Sequence, residues 1–276
     1  MGALDSKLPE VGTTIFTIMS KMAAEYNAIN LSQGFPDFPV SNDLIELIEA
    51  AMRAGHNQYA PMVGLPALRE ASSTMTDLRY DYKPDPETEV IVTAGATEGL
   101  FAAIMALVSS GDEGIVFDPV YDSYDPAIQL AGGKPVHINL TFPEYTIDWE
   151  QVSGCITAKT KLIIINSPHN PTGSVLSASD LEILNTLVQK HNIFVLSDEV
   201  YEHIIFDDNL HQSILRFPEL RSRSVSISSF GKTFHATGWK IGYTIAPEYI
   251  TNEIRKVHQY LTFSVHTPPQ VGLATI

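Results

Sequence analysis

The sequence predicts an α/β fold, a mostly parallel sheet sandwiched by helices. Three observations carry this. Leu162-Ile163-Ile164-Ile165 and Ile193-Phe194-Val195-Leu196 are unbroken apolar runs, the pattern of strands covered on both faces. Such runs alternate with segments of helical spacing, as parallel strands joined by helical crossovers do. A chain of 276 residues is also long enough to bury a layered core of this kind.

Residues 1–30 carry the spacing Ile15-Phe16…Met19…Met22 and read as an N-terminal arm. Leu31 to Pro39 comes next, containing Gln33-Gly34-Phe35-Pro36-Asp37-Phe38. Its glycine and prolines forbid regular structure while its phenylalanines are unlike a solvated linker, so it reads as a buried or site-lining loop. A helix is expected from Ser41, as N-cap, to Gly55, and another from Leu65 to Leu78. Asn57-Gln58-Tyr59-Ala60-Pro61 between them is irregular.

Strand and helix then alternate. Val90–Thr93 is a strand, and Gly95-Ala96-Thr97-Glu98-Gly99 turns into an apolar helix through Leu107. Further strands are expected at Ile115–Phe117, Pro135–Ile138, Leu162–Asn166 and Ile193–Leu196. Ser177-x-x-Asp180 reads as a capping box opening a helix to His191. Val225-Ser226-Ile227-Ser228 has the period of a strand, and Trp239 to Ile245 resumes a β-like run.

A net charge of −15 argues against nucleic acid as a partner. One cysteine, Cys155, excludes an internal disulfide and points to a reducing compartment. No apolar run reaches membrane-spanning length and no basic-then-apolar leader opens the chain, so the expectation is a soluble cytoplasmic protein with no membrane partner.

In open α/β sheets ligands bind beyond the carboxyl ends of the strands. Those ends carry Gly95-Ala96-Thr97, Asp118 to Tyr121, Asn166 to Asn170, Asp198 to Tyr201, and Ser229 to Lys232. The set suits pyridoxal phosphate. Lys232 offers an amine that condenses with its aldehyde as a Schiff base, and Asp198 a carboxylate that keeps the ring nitrogen protonated. The start of the 97–107 helix offers N–H groups to a phosphate, with Ser229 and Lys240 adding a hydroxyl and a charge.

Each residue taken alone has a plainer reading. A lone lysine is usually at the surface, Asp198 would equally cap the next helix, and Tyr121 and Tyr201 would serve as packing residues. Gly95-x-x-x-Gly99 is not the dinucleotide fingerprint, and no Gly-x-Ser-x-Gly elbow is present. The histidines show no ligand spacing, so His169, His203 and His235 read as structural and no metal site is expected. The weight rests on several strand ends supplying parts for one cofactor.

Asn166-Ser167-Pro168-His169-Asn170-Pro171-Thr172-Gly173, Ser197-Asp198-Glu199-Val200-Tyr201 and Ser228-Ser229-Phe230-Gly231-Lys232, followed by Thr237-Gly238-Trp239-Lys240-Ile241-Gly242, resemble the signatures of the class I/II aminotransferases of fold type I. The likeness runs from about Leu8 to the last residue. Gln33 to Phe38 and Val257-His258-Gln259 most resemble the methionine and kynurenine/glutamine transaminase branch. The resemblance implies a pyridoxal-phosphate-binding large domain over residues 31–276, with residues 1–30 forming the arm and part of a small domain. It implies Lys232 as Schiff-base lysine and proton shuttle, and Asp198 as partner of the pyridinium nitrogen. Asn170 and Tyr201 would bond the ring's phenolic oxygen, and Tyr121 would stack on its face. Ala96, Thr97, Ser229 and Lys240 would hold the phosphate, Lys240 standing where many relatives have arginine. Gly34 would let the substrate carboxylate approach the backbone, and Phe263 would lie near the side-chain pocket. Tyr59 would reach the neighbouring subunit's phosphate, which implies a homodimer.

The resemblance also implies transamination of an apolar, sulfur-containing or aromatic L-amino acid with a 2-oxo acid. A cysteine-conjugate β-lyase and an inactive cofactor-binding fragment are the alternatives. Relatives continue past Ile276 into a small domain that supplies an arginine for the substrate carboxylate. The chain, ending inside an expected helix at Pro269–Ile276, is expected to be a fragment lacking most of that domain.

Overall fold

The computed structural model describes residues 5–32, 34 and 38–276. Among these, the strands are β1 (Val90–Thr93), β2 (Glu113–Asp118), β3 (Lys134–Asn139), β4 (Thr160–Asn166), β5 (Phe194–Asp198), β6 (Ser224–Ser229) and β7 (Gly242–Ile245). They form one sheet in the order β1-β7-β6-β5-β4-β2-β3. Neighbours from β6 across to β3 pair in parallel, and β7 runs antiparallel to both β1 and β6. The helices are α1 (Ile15–Glu25), α2 (Asn42–Arg53), α3 (Pro66–Tyr80), α4 (Gly95–Leu107), α5 (Tyr124–Leu130) and α6 (Trp149–Cys155). They continue with α7 (Ala178–His191), α8 (Pro218–Arg221), α9 (Phe230–Thr233), α10 (Glu248–Leu261) and α11 (Thr267–Leu273).

The unbroken apolar strands face both ways. In β4, Leu162 and Ile164 enter a core with Ile104 of α4, Ile128 of α5 and Ile254 of α10. Ile163 and Ile165 enter the opposite core, with Leu181, Leu184 and Val188 of α7. The period of two thus serves both helical layers. Truncating Ile163 or Ile164 to alanine would cost about 2–5 kcal/mol at such sites. A smaller core gathers Leu44 and Ile48 of α2, Leu68 of α3 and Leu273 of α11.

The Ser177–Asp180 capping box is present, the Ser177 hydroxyl accepting from Asp180 N–H while Asp180 Oδ2 accepts from Ser177 N–H at 2.8 Å. α2 ends at Arg53, with Gly55 at φ +93° just beyond. Other boundaries differ from expectation. β7 begins at Gly242 rather than near Trp239, because Thr237–Trp239 is a 3₁₀ turn and Lys240 sits at φ +55°. α4 opens at Gly95, and α11 covers Thr267–Leu273 rather than 269–276, its prolines occupying the first turn, where no N–H is needed. α10 has no counterpart among the expected helices. It buries Ile250, Ile254 and His258, spaced four apart.

Strand direction decides where chemistry can gather. The carboxyl ends of β2, β4, β5 and β6 open on one edge, and reversed β7 starts at that edge. Gly242 lets β7 fit there. A Cβ at that position would lie 2.7 Å from Ser228 O and 2.8 Å from Ala96 N, contacts no side chain tolerates.

Candidate active site

A cavity of about 630 Å³ lies at this edge, a size typical of small-ligand sites. Lys232 is in α9, the single turn after β6. Its Nζ donates to Gly34 O and lies 5.3 Å from the centroid of the Tyr201 ring. Burial lowers its pKa from the lysine norm, Asp198 acting to raise it and Lys240 to lower it further. The amine is therefore closer to its neutral, nucleophilic form than a surface lysine.

Asp198 ends β5 and is buried. Burial pushes its carboxyl up to about 6, although the Tyr124 phenol and Val200 N–H both donate to it, at 2.7 and 3.3 Å. A cationic partner would favour its ionised form. Behind it, Asn166 donates to Asp198 O at 2.9 Å and accepts from Asn170 N–H at 2.7 Å. One amide thus ties the ends of β4 and β5 together and holds Asn170 beside the cavity. Burial and the nearby Asp198 push the Tyr201 phenol up to about 12, so it remains a neutral donor. Tyr121 also lines the cavity, its ring centroid 5.5 Å from that of Tyr124, edge to face.

The segment from Asp198 to Glu202 is braced from below. Glu199 accepts from His211 Nε2 at 2.9 Å, from Ser197 Oγ at 2.8 Å and from Ile214 N–H at 3.2 Å. Glu202 accepts from the Tyr80 phenol and from Ser228 Oγ at 2.8 Å. These three titratable groups, Glu199, Glu202 and His211, have the spacing of a metal cluster. Protein donors already serve both carboxylates, so the cluster acts as bracing for the loop.

The other end of the cavity is the N-terminus of α4, where Gly95, Ala96 and Thr97 line the wall with Ser229 and Lys240. Gly95 has φ +74°, and a Cβ there would press on Lys240 Cε at 3.3 Å. Lys240 Nζ donates to Thr97 Oγ1 at 3.4 Å. First-turn N–H groups, a helix dipole, a hydroxyl and an ammonium group together suit an anion. The donor set fits pyridoxal phosphate: an amine for its aldehyde, a buried carboxylate for its ring nitrogen, and a cationic helix start for its phosphate.

The structure thus brings Lys232, Asp198, Asn170, Tyr201, Tyr121, Ala96, Thr97, Ser229, Lys240 and Gly34 around one cavity. Tyr59 and Phe263 are not in its wall. They pack on each other, centroids 5.4 Å apart, on a different part of the surface, Tyr59 being 82% exposed. Gln33, Phe35, Pro36 and Asp37 of the predicted site-lining loop fall outside the described residues. Sequence reasoning missed Tyr124 and the bridging role of Asn166. It also assigned no site residue to the arm, whereas Thr14, Phe16, Thr17 and Ser20 wall the cavity.

Comparison with known proteins agrees with this geometry. The family model for aminotransferase class I and II matches residues 26–275. Methionine aminotransferase of Escherichia coli (strain K12) is 54% identical over 269 residues, covering 98% of this chain and 70% of that protein. Human kynurenine–oxoglutarate transaminase 1 is 36% identical over 267 residues, covering 92% of this chain and 63% of that protein. The crystal structure of YbdL from Escherichia coli, for which a methionine aminotransferase function was identified, superposes with a TM-score of 0.96 at 52% identity. It covers 100% of this chain and 72% of its own. The expected fold type and family are therefore shown, and with them the cofactor, pyridoxal 5′-phosphate. Among the described residues no helix is long and apolar enough to cross a membrane. The chain belongs to the class I and II aminotransferases.

Proposed function

We propose that this chain is a transaminase for methionine-like L-amino acids, apolar, sulfur-containing or aromatic, with a 2-oxo acid as acceptor. The observation that carries it is the placement of Lys232, Asp198 and the α4 N-terminus around one cavity. The similarity to a methionine aminotransferase supports the choice of substrate. When bound, the cofactor supplies an aldehyde that condenses with amines and a ring that takes up an electron pair.

The protein's residues do the rest. Ala96, Thr97, Ser229 and Lys240 would hold the phosphate, and Asp198 would pair with the protonated ring nitrogen. Asn170 and Tyr201 would bond the phenolic oxygen, and Tyr121 would pack on the ring. Lys232 Nζ, its basicity lowered by burial, takes the substrate Cα proton and gives one back as its conjugate acid. Gly34 would leave room for the substrate carboxylate near the backbone, a Cβ there meeting, among the described residues, Tyr201 Oη and Lys232 Nζ at 3.8 and 3.9 Å. Residues 31–276 constitute the cofactor-binding large domain, and residues 1–30 the arm and part of the small domain.

The enzyme acts in the cytoplasm as a homodimer, Tyr59 reaching the neighbouring site and Phe263 bordering its side-chain pocket. The exposed pairing of Tyr59 with Phe263, away from this chain's own cavity, supports that part. Substrate choice is tested by supplying the holoenzyme with a 2-oxo acid and, in turn, methionine, phenylalanine, aspartate and glutamate. Methionine and phenylalanine should be turned over fastest. Faster turnover of the dicarboxylates would refute the substrate reading.

A further inference from the structure

The first turn of α4 contains an anion where an anion is to be bound. Glu98 stands directly after Thr97, its side chain 8% exposed. Its Oε2 accepts from Ala94 N–H at 3.1 Å, closing the turn between β1 and α4. A carboxylate favours its own helix N-terminus, yet it also lowers the positive potential there that a phosphate would use. Left uncompensated, it would oppose the cofactor.

The compensation comes from α10. His258 is fully buried, and its Nδ1 lies 2.9 Å from Glu98 Oε1. Its Nε2 lies 2.8 Å from Met62 O. The Met62 carbonyl is an acceptor only, and so is Glu98 as a carboxylate; a ring that satisfies both then donates from both nitrogens and is an imidazolium. Burial by itself would lower the His258 pKa, but the hydrogen bond and charge of Glu98, with the Met62 carbonyl, outweigh it and the net direction is up. Glu98 is the charged group that faces it; the loop facing Nε2 contributes only a backbone carbonyl.

We infer that Glu98 and His258 form a charge-compensated positioning pair for the cofactor phosphate. Glu98 shapes the β1–α4 turn, and the His258 imidazolium cancels the charge that Glu98 places at the anion-binding helix end. The pair also couples this turn to α10 and to the loop containing Met62. The inference rests on the proposed placement of the phosphate at α4.

The test uses apoenzyme titrated with pyridoxal phosphate and, separately, with inorganic phosphate. His258→Gln removes the cation and keeps a donor, and should weaken both ligands about tenfold. Adding Glu98→Gln in the same chain removes the leftover anion and should bring both affinities back to within about twofold of the parent. A pair that only packs would behave otherwise: the double variant would bind no better than His258→Gln, and that result overturns the inference. Side-chain ¹⁵N NMR supplies a second readout independent of the His258 variants. His258 should read as a doubly protonated ring at pH 7.5 in the parent and lose that signature in Glu98→Gln. A neutral ring in the parent also overturns it. If Lys240→Met leaves the parent's phosphate affinity unchanged, the placement of the phosphate fails instead.

Discussion

Replacing Asp198 by asparagine should strengthen the apoprotein while crippling it as a holoenzyme. The carboxyl titrates at about 6 in the folded chain, pushed up by burial from its ordinary 3.8. A raised folded-state pKa means that the protonated form favours folding, a contribution fully present below pH 3.8 and lost as pH rises through 6. A shift of about two pH units is worth about 3 kcal/mol, so ionised Asp198 costs the empty fold about that much at pH 7.5. Asparagine fits the same bonds, its oxygen accepting from Val200 N–H and its amide donating to the Tyr124 oxygen. Asp198→Asn apoprotein should therefore resist urea better by about 3 kcal/mol at pH 7.5, and by only about 1 kcal/mol at pH 4.5. The same change removes a charged partner worth about 1.5–3 kcal/mol, so cofactor affinity should fall roughly 10- to 100-fold. An apoprotein destabilised at pH 7.5, or stabilised equally at both pH values, would refute the reasoning.

Neighbouring contacts give three more expected outcomes. Tyr124→Phe deletes the 2.7 Å donor to Asp198; the acidic limb of cofactor affinity should move up by about one to two pH units, and an unchanged pH profile would contradict this. Lys240→Met removes a like charge that lowers the Lys232 pKa, so the acidic limb of the cofactor-capture rate should move to higher pH while phosphate affinity drops about tenfold. Gly242→Ala places a methyl 2.7 Å from Ser228 O and 2.8 Å from Ala96 N. It should lower stability by about 1–3 kcal/mol and loosen the cofactor, as thermal unfolding with and without cofactor would show.

Much of the site is legible in the sequence because its parts sit where patterns end. Apolar runs such as Leu162–Ile165 announce buried strands, and the residues just after each run fall at one edge of a parallel sheet. That locates Asn170, Asp198 and Lys232 without tertiary knowledge. Tyr124 is not legible, because its partner Asp198 is 74 residues away and a tyrosine on a short helix looks like packing. The Glu98–His258 contact spans 160 residues and hides for the same reason. α10 escapes notice because its buried face ends in a histidine, which dilutes the apolar stripe. The arm misleads by composition: α1 buries none of its residues completely, yet one side of it walls the cavity. The residue pattern puts Lys240 in a strand, but its left-handed backbone breaks the run and turns it towards Thr97.

The proposed function depends most on Lys232, as the amine that would capture the cofactor aldehyde. Reducing the holoenzyme with borohydride, unfolding and digesting it, and locating the attached cofactor by mass spectrometry tests this directly. The label should fall on the peptide containing Lys232 and should disappear in Lys232→Ala. A label on Lys240 or on any other lysine of the parent, or persistent labelling of Lys232→Ala at the parent's level, would contradict that role.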